Sequence, residues 1–295
     1  MSEFIHTNPL LNQLSYKTTV DLLRITLLVY NYGKEICMTT PNDNVEAFVE
    51  GLKQRGEFAN LHLDETRKKV LEDIAYNVPS GKLVKFIQDE TTDIQVGITI
   101  CETEKRICVV FRGSESQTDW YYDLLIMKHK LNENIRVHSG FYKQLTQNNV
   151  YDKLVSEVNK LIGKYPTFAI YITGHSLGGA LSTLFGYMLS TEINHQIMVV
   201  SFASPRVGNY EWKEAFEAKT NLTHYRITNN HDIVTAFPLY KYYHVGHNIK
   251  LLEKDYCLIS RDTPRSWYEE TFLTCWSPSD HNCETYYDRL TSTEW

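Results

Sequence analysis

The chain has 295 residues, a net charge of -6 and 42% hydrophobic residues. That is enough to bury one large core, and too acidic a balance to attract a polyanion such as nucleic acid. Twenty Tyr, twelve Phe and five Trp supply rings for an apolar substrate or an interface.

The opening residues MSEFIHTNPLLNQLSYK contain no basic segment followed by an apolar one, so no secretory leader is read there. The apolar stretch from Leu22 to Tyr32 is interrupted by Arg24 and is too short to span a bilayer. Cys37, Cys101, Cys108, Cys257, Cys275 and Cys283 form no CxxC pair, and free thiols are expected. These features point to an intracellular chain, cytoplasmic or peripheral to membranes. With no repeat, low-complexity tract or Pro/Gly-rich linker, residues 1–295 are expected to form one domain.

The first 80 residues look helical. Thr18 or Thr19 is a candidate cap for a helix carrying Leu22, Leu23, Leu27 and Val29, with Gly33 as its stop. Asn44 to Leu52 and Asp64 to Tyr76 read as two more helices. Lys82 to Gln88, Ile94 to Cys101 and Arg106 to Phe111 are β-branched and bounded by polar turns, so they read as strands. Phe141 to Ile162 has helical spacing at Leu154, Val158 and Leu161. Strands at Phe168 to Ile172, Ile197 to Phe202 and Thr223 to Thr228 then alternate with helices at Leu177 to Ser190 and Tyr210 to Ala218. Such alternation predicts a mostly parallel central sheet with helices on both faces.

Gly174-His175-Ser176-Leu177-Gly178 matches the G-x-S-x-G elbow, in which a serine sits on a strained turn between strand and helix. The surroundings strengthen the match: an apolar run precedes it and a helical run follows. Ser176 is therefore the candidate nucleophile. A serine hydroxyl needs a base, and the base needs an orienting acid. In the chain order of this fold both follow the serine. Asp232, in the Asn-rich stretch after the strand ending at Thr228, suits the acid. For the base, His281 lies in a polar loop before a short helix through Tyr286 and Tyr287. His244 and His247 lie in a segment that reads as a strand. A loop is the commoner home of a proton shuttle, which favours His281 without excluding the other two. For His244 and His247, cross-strand packing is a better reading than a metal site, because no third ligand has matching spacing.

An oxyanion hole needs two N–H donors. Leu177, after the nucleophile, is one candidate. Ser114, in the loop after the strand ending at Phe111, is the other. From Gln117 to Lys128, Trp120, Leu124 and Met127 fall at helical spacing, with Tyr121 and Leu125 beside them. This amphipathic segment reads either as a packed surface helix or as a short lid helix over an apolar acyl site.

Seven segments together resemble the class 3 lipase family, the fungal triacylglycerol lipases and their relatives. They are Val110-Phe111-Arg112-Gly113-Ser114, Trp120-Tyr121-Tyr122-Asp123-Leu124, Val137-His138-Ser139-Gly140-Phe141, Thr173 to Ala180, Phe202 to Asn209, Asn230-His231-Asp232-Ile233-Val234, and Asp280-His281-Asn282-Cys283-Glu284-Thr285-Tyr286. The resemblance implies an α/β-hydrolase fold with Ser176, Asp232 and His281 as the triad. It implies a hole from Ser114 and Leu177, and a lid near residues 115–128 bearing Trp120, Tyr121, Leu124 and Leu125. No metal or organic cofactor is implied. The expected activity is hydrolysis of lipid esters of acylglycerol type, with transient contact at a lipid surface. A soluble esterase, a phospholipase A1 and, more remotely, an inactive lipid-binding scaffold are the alternatives. Residues 248–280 do not align readily with the family pattern.

Overall fold

The computed structural model describes residues 13–32, 82–89, 91–113, 127–261, 277–293 and 295. The expected helices at Asn44 to Leu52 and Asp64 to Tyr76 lie outside the described residues. So do Ser114, Trp120, Tyr121, Leu124 and Leu125.

The chain opens with α1 (Tyr16–Tyr32). Its cap is Ser15 rather than Thr18 or Thr19: the Thr18 N–H donates to Ser15 Oγ at 3.1 Å, which satisfies one of the open donors of the first turn. Strands β1 (Lys82–Asp89), β2 (Ile94–Cys101) and β3 (Arg106–Phe111) follow and pair antiparallel. A small hairpin of β4 (Lys128–Lys130) and β5 (Arg136–His138) leads into α2 (Ser139–Thr146) and α3 (Val150–Lys164). The single helix expected from Phe141 to Ile162 is thus two. Asn148 and Asn149 between them take φ of 53° and 59°, a left-handed conformation that asparagine tolerates better than most residues.

Next come β6 (Ala169–His175), α4 (Leu177–Glu192), β7 (Ile197–Phe202), α5 (Tyr210–Glu217) and β8 (Leu222–Asn229). The chain ends with β9 (His247–Leu251), β10 (Tyr256–Ile259) and α6 (Cys283–Thr291). The strand expected through Tyr242 and His244 starts only at His247. Gly246, at φ 75°, turns the chain against β8, where a Cβ would stand 2.4 Å from the His224 carbonyl oxygen. Strand order is β1-β2-β3-β6-β7-β8-β9-β10, and every pairing from β3 to β9 is parallel.

Alternation along the strands gives each face its own core. Ile107, Val109 and Phe111 of β3 pack with Phe141, Leu154, Leu184 and Phe185 from α2, α3 and α4. Cys108 and Val110 point the other way, to Leu22, Leu27, Tyr286 and Leu290 from α1 and α6. Each such leucine contributes about 1.5–3 kcal/mol of burial. The sheet is thereby fixed between two helical layers, with the loops at the carboxyl ends of β3, β6, β7 and β8 on one edge. Among the described residues no helix is long and apolar enough to cross a membrane.

Candidate active site

β6 and α4 meet at Ser176, which takes φ 58° and ψ -124°, a region that non-glycine residues avoid. Two glycines make this turn possible. A Cβ on Gly174 would stand 2.4 Å from the Gly178 carbonyl oxygen, and one on Gly178 would stand 2.3 Å from that of Phe111. Strand, helix and the end of β3 therefore approach at backbone contact. The Ser176 N–H is spent on the Phe202 carbonyl at 2.9 Å, so the turn is tied to β7 as well. Leu177 contributes the first N–H of α4, one of the four that a helix start leaves without an intrahelical acceptor.

His281 ends a 3-10 turn, Pro278–His281, just before α6. Its Nε2 lies 2.8 Å from Ser176 Oγ, and its Nδ1 lies 3.0 Å from both carboxylate oxygens of Asp232. All three residues are buried. With Nδ1 protonated toward the carboxylate, Nε2 is a bare acceptor for the serine hydroxyl proton.

Asp232 sits in the turn after β8. Its Oδ1 accepts the Val234 N–H at 2.9 Å and its Oδ2 accepts the Tyr286 hydroxyl at 2.7 Å. Burial, then the neighbouring Asp232 charge, push the Tyr286 phenol well above its ordinary value, so it stays a donor. The loops carrying acid and base are also joined directly. Asp280 accepts the His231 N–H at 3.2 Å and a two-point contact from Arg289 at 2.6 and 2.9 Å. The Ser277 N–H donates to the His231 carbonyl at 2.9 Å, and Asn229 Nδ2 donates to the Asp280 carbonyl at 2.8 Å.

The structure thus brings together Ser176, Asp232 and His281 and leaves the other two histidines out. His244 Nε2 donates to the Thr235 carbonyl at 2.8 Å, and His247 Nδ1 accepts the Arg261 N–H at 3.2 Å. No group of three or more metal-ligating side chains occurs among the described residues. Tyr286, Asp280 and Arg289 were not legible as partners. Asp280 and Tyr286 lie in a family-like segment and Arg289 follows it, but none of this gives the direction of a side chain until α6 is docked. Ahead of Ser114, the Arg112 N–H donates to the Gln95 carbonyl at 2.9 Å and its guanidinium meets Asp93 at 3.2 Å, so the loop leaving β3 is held up to Gly113.

Residues 108–242 match the family profile of Lipase (class 3). The secreted mono- and diacylglycerol lipase A of Penicillium cyclopium is 28% identical over 165 residues, which are 55% of this chain and 53% of that protein. Phospholipase A1-II 3 of Oryza sativa subsp. japonica is 29% identical over 229 residues, 67% of this chain and 51% of that protein. The chain therefore spans about half the length of these curated relatives. A solved lipase from Rhizopus microsporus var. chinensis shares the fold, with a TM-score of 0.64 at 22% identity over 90% of this chain and 85% of that one. The expectation of an intracellular location is overturned, because the mono- and diacylglycerol lipase relatives from two Penicillium species are named as secreted. A leader leaves no mark in the folded core, so the opening residues were a poor guide to compartment. Residues 108–242 thus carry the class 3 lipase profile, and the lipase relatives support a likeness to that family.

Proposed function

We propose that this chain is a serine carboxylic-ester hydrolase acting on lipid esters of acylglycerol type. One observation carries the reading: the buried run from Asp232 through His281 to Ser176, closed at 3.0 and 2.8 Å. In this reading His281 Nε2 takes the hydroxyl proton as Ser176 Oγ attacks the ester carbonyl. The tetrahedral oxyanion forms over the start of α4, where the Leu177 N–H supplies one donor and the Ser114 N–H the second. Asp232 holds the imidazole tautomer and offsets the charge that develops on it. His281 then returns the proton to the leaving alkoxide, and water repeats the sequence on the acyl-Ser176 intermediate.

The lipid preference rests on the likeness to a mono- and diacylglycerol lipase, together with the amphipathic spacing of Trp120, Tyr121, Leu124 and Leu125. In this reading those residues cover the acyl site and meet a lipid surface transiently. A phospholipase A1 is the second reading, favoured by the longer alignment with the rice phospholipase.

A panel of emulsified mono-, di- and triacylglycerol, phosphatidylcholine vesicles and soluble p-nitrophenyl butyrate tests both. Acylglycerol turnover above that of the other two, lost in Ser176→Ala, is the expected result. Preference for the sn-1 ester of phosphatidylcholine selects the second reading. Full activity in Ser176→Ala overturns both.

A further inference from the structure

A second hydrogen-bonded run leaves the site through His175. His175, next to the nucleophile, is buried, and its Nε2 lies 2.9 Å from the backbone carbonyl of His281. A carbonyl only accepts, so Nε2 carries the ring proton and Nδ1 of the neutral ring is bare. The Tyr30 hydroxyl of α1 stands 3.2 Å from that Nδ1 and 3.4 Å from the His175 carbonyl. The nearer acceptor takes the phenol proton. Gly113 packs closely against the same hydroxyl.

Residue 113 has to be glycine for this contact. A Cβ there would stand 1.8 Å from the Tyr30 hydroxyl and 2.6 Å from the His175 carbonyl oxygen. Burial keeps both partners in these states. It holds the His175 ring well below the usual histidine range, with His281 adding to the effect, and the Tyr30 phenol well above 10.

One hydroxyl from the N-terminal helix therefore touches the loop leaving β3, just before Ser114, and the residue before Ser176. Through His175 it reaches the main chain of His281. We propose that Tyr30 is a positioning residue of the ester hydrolysis: with His175 it fixes the tautomer that pins the His281 carbonyl and so keeps the base on Ser176 Oγ. This rests on the reading of Ser176 and His281 given above. It gives α1, which lies outside the family-matched residues 108–242, a part in the chemistry. Angular error in a triad is penalised steeply, which is why a residue that never meets substrate matters here.

The test is Tyr30→Phe assayed on soluble p-nitrophenyl butyrate, which needs no lipid surface. We expect kcat to fall about tenfold with KM within about twofold, the signature of lost transition-state geometry. Tyr287→Phe is the control, because it removes an α1–α6 hydrogen bond (Arg24 Nε to the Tyr287 hydroxyl, 3.1 Å) that the relay does not use. It is expected to leave kcat unchanged. His175→Gln keeps an amide donor for the His281 carbonyl and should retain more activity than His175→Ala. Nitrogen NMR of ring-labelled histidine should find the Nε2–H tautomer at His175 in the wild type and a mixture in Tyr30→Phe.

The proposal is overturned by a kcat within about twofold of wild type in Tyr30→Phe, by an equal loss in Tyr287→Phe, or by an Nδ1–H tautomer in the wild type. If Tyr30→Phe does not fold, equal activity of the two His175 variants overturns it. An inactive wild type would sink the hydrolase reading instead, and the relay itself would then stand or fall on the tautomer.

Discussion

The Tyr286 hydroxyl donates to Asp232 Oδ2 at 2.7 Å and accepts the Asn229 N–H at 2.9 Å. One phenol thus ties the acid to the last residue of β8 and to the helix that follows the base. Tyr286→Phe leaves Asp232 with the Val234 N–H and His281 but removes a donor from the charged carboxylate. A hydrogen bond to a charged group contributes about 1.5–3 kcal/mol. We predict a fall in kcat of about tenfold on soluble ester, with KM little changed. An unchanged kcat would mean that the Val234 N–H alone orients the acid.

Asp280 joins the acid and base loops through the His231 N–H and is itself held by Arg289 of α6. The Arg289 and Asp280 side chains are 18% and 7% exposed, so screening by water is limited. Arg289→Met leaves the Asp280 carboxylate with the His231 N–H across the loops, and we predict a loss of about 2 kcal/mol in urea unfolding. Asp280→Asn keeps the shape and one acceptor oxygen, so its loss should be smaller. Equal stability of Arg289→Met and wild type would contradict this account.

How much of this was legible beforehand follows from the range of each signal. Ser176 is written locally, because the elbow needs glycines at fixed offsets and they are visible as Gly174 and Gly178. The strands β2 and β3 are legible for the same reason, since β-branched alternation is a short-range pattern. His281 could not be separated from His244 and His247 by local pattern alone; the family resemblance chose it, and its hydrogen bonds agree. The break at Asn148 and Asn149 was hidden because the helical spacing rests on Leu154, Val158 and Leu161, which all lie after it. Tyr30 was hidden more deeply. It lies 145 positions from His175, and nothing in α1 distinguishes it from a core tyrosine until the helix is packed on the sheet.

Ser176 itself stores strain. At φ 58° and ψ -124° the backbone is in a region where only glycine is at ease, and such a conformation costs of order 1–3 kcal/mol. Ser176→Gly should therefore raise the unfolding free energy by about 1 kcal/mol, offset in part by the extra freedom of glycine in the unfolded chain. The same change removes the nucleophile, so ester hydrolysis and fluorophosphonate labelling should both vanish. Ser176→Ala loses the activity but keeps the strain, so it should not gain stability. Equal urea midpoints for the two variants would argue that the turn is unstrained.

Three histidines give the fold a definite acid sensitivity. Burial holds His175 well below its ordinary value of 6.5, with His281 next in effect. Burial likewise holds His224 and His244 well below 6.5, with Arg226 next for each. These rings stay neutral in the folded chain at a pH where the unfolded chain has begun to protonate them. The unfolded state then binds more protons, so stability is full above pH about 6.5 and falls as the pH drops below it. Each of these histidines therefore removes stability as the pH falls from 8 to 5, and the losses add. Asp21 and Glu217 act in the opposite sense. Burial raises both carboxyls, and they add stability as the pH falls toward the carboxylate range, so the histidine effect is cleanest between pH 6.5 and 5. Urea unfolding at pH 8, 6.5 and 5 measures the slope. His224→Gln, which removes one titrating ring of the three and keeps a donor for Ser201 Oγ, 2.9 Å from His224 Nε2, should flatten it by about a third. A stability independent of pH across that window would show that these rings take up protons in the folded chain as readily as in the unfolded one.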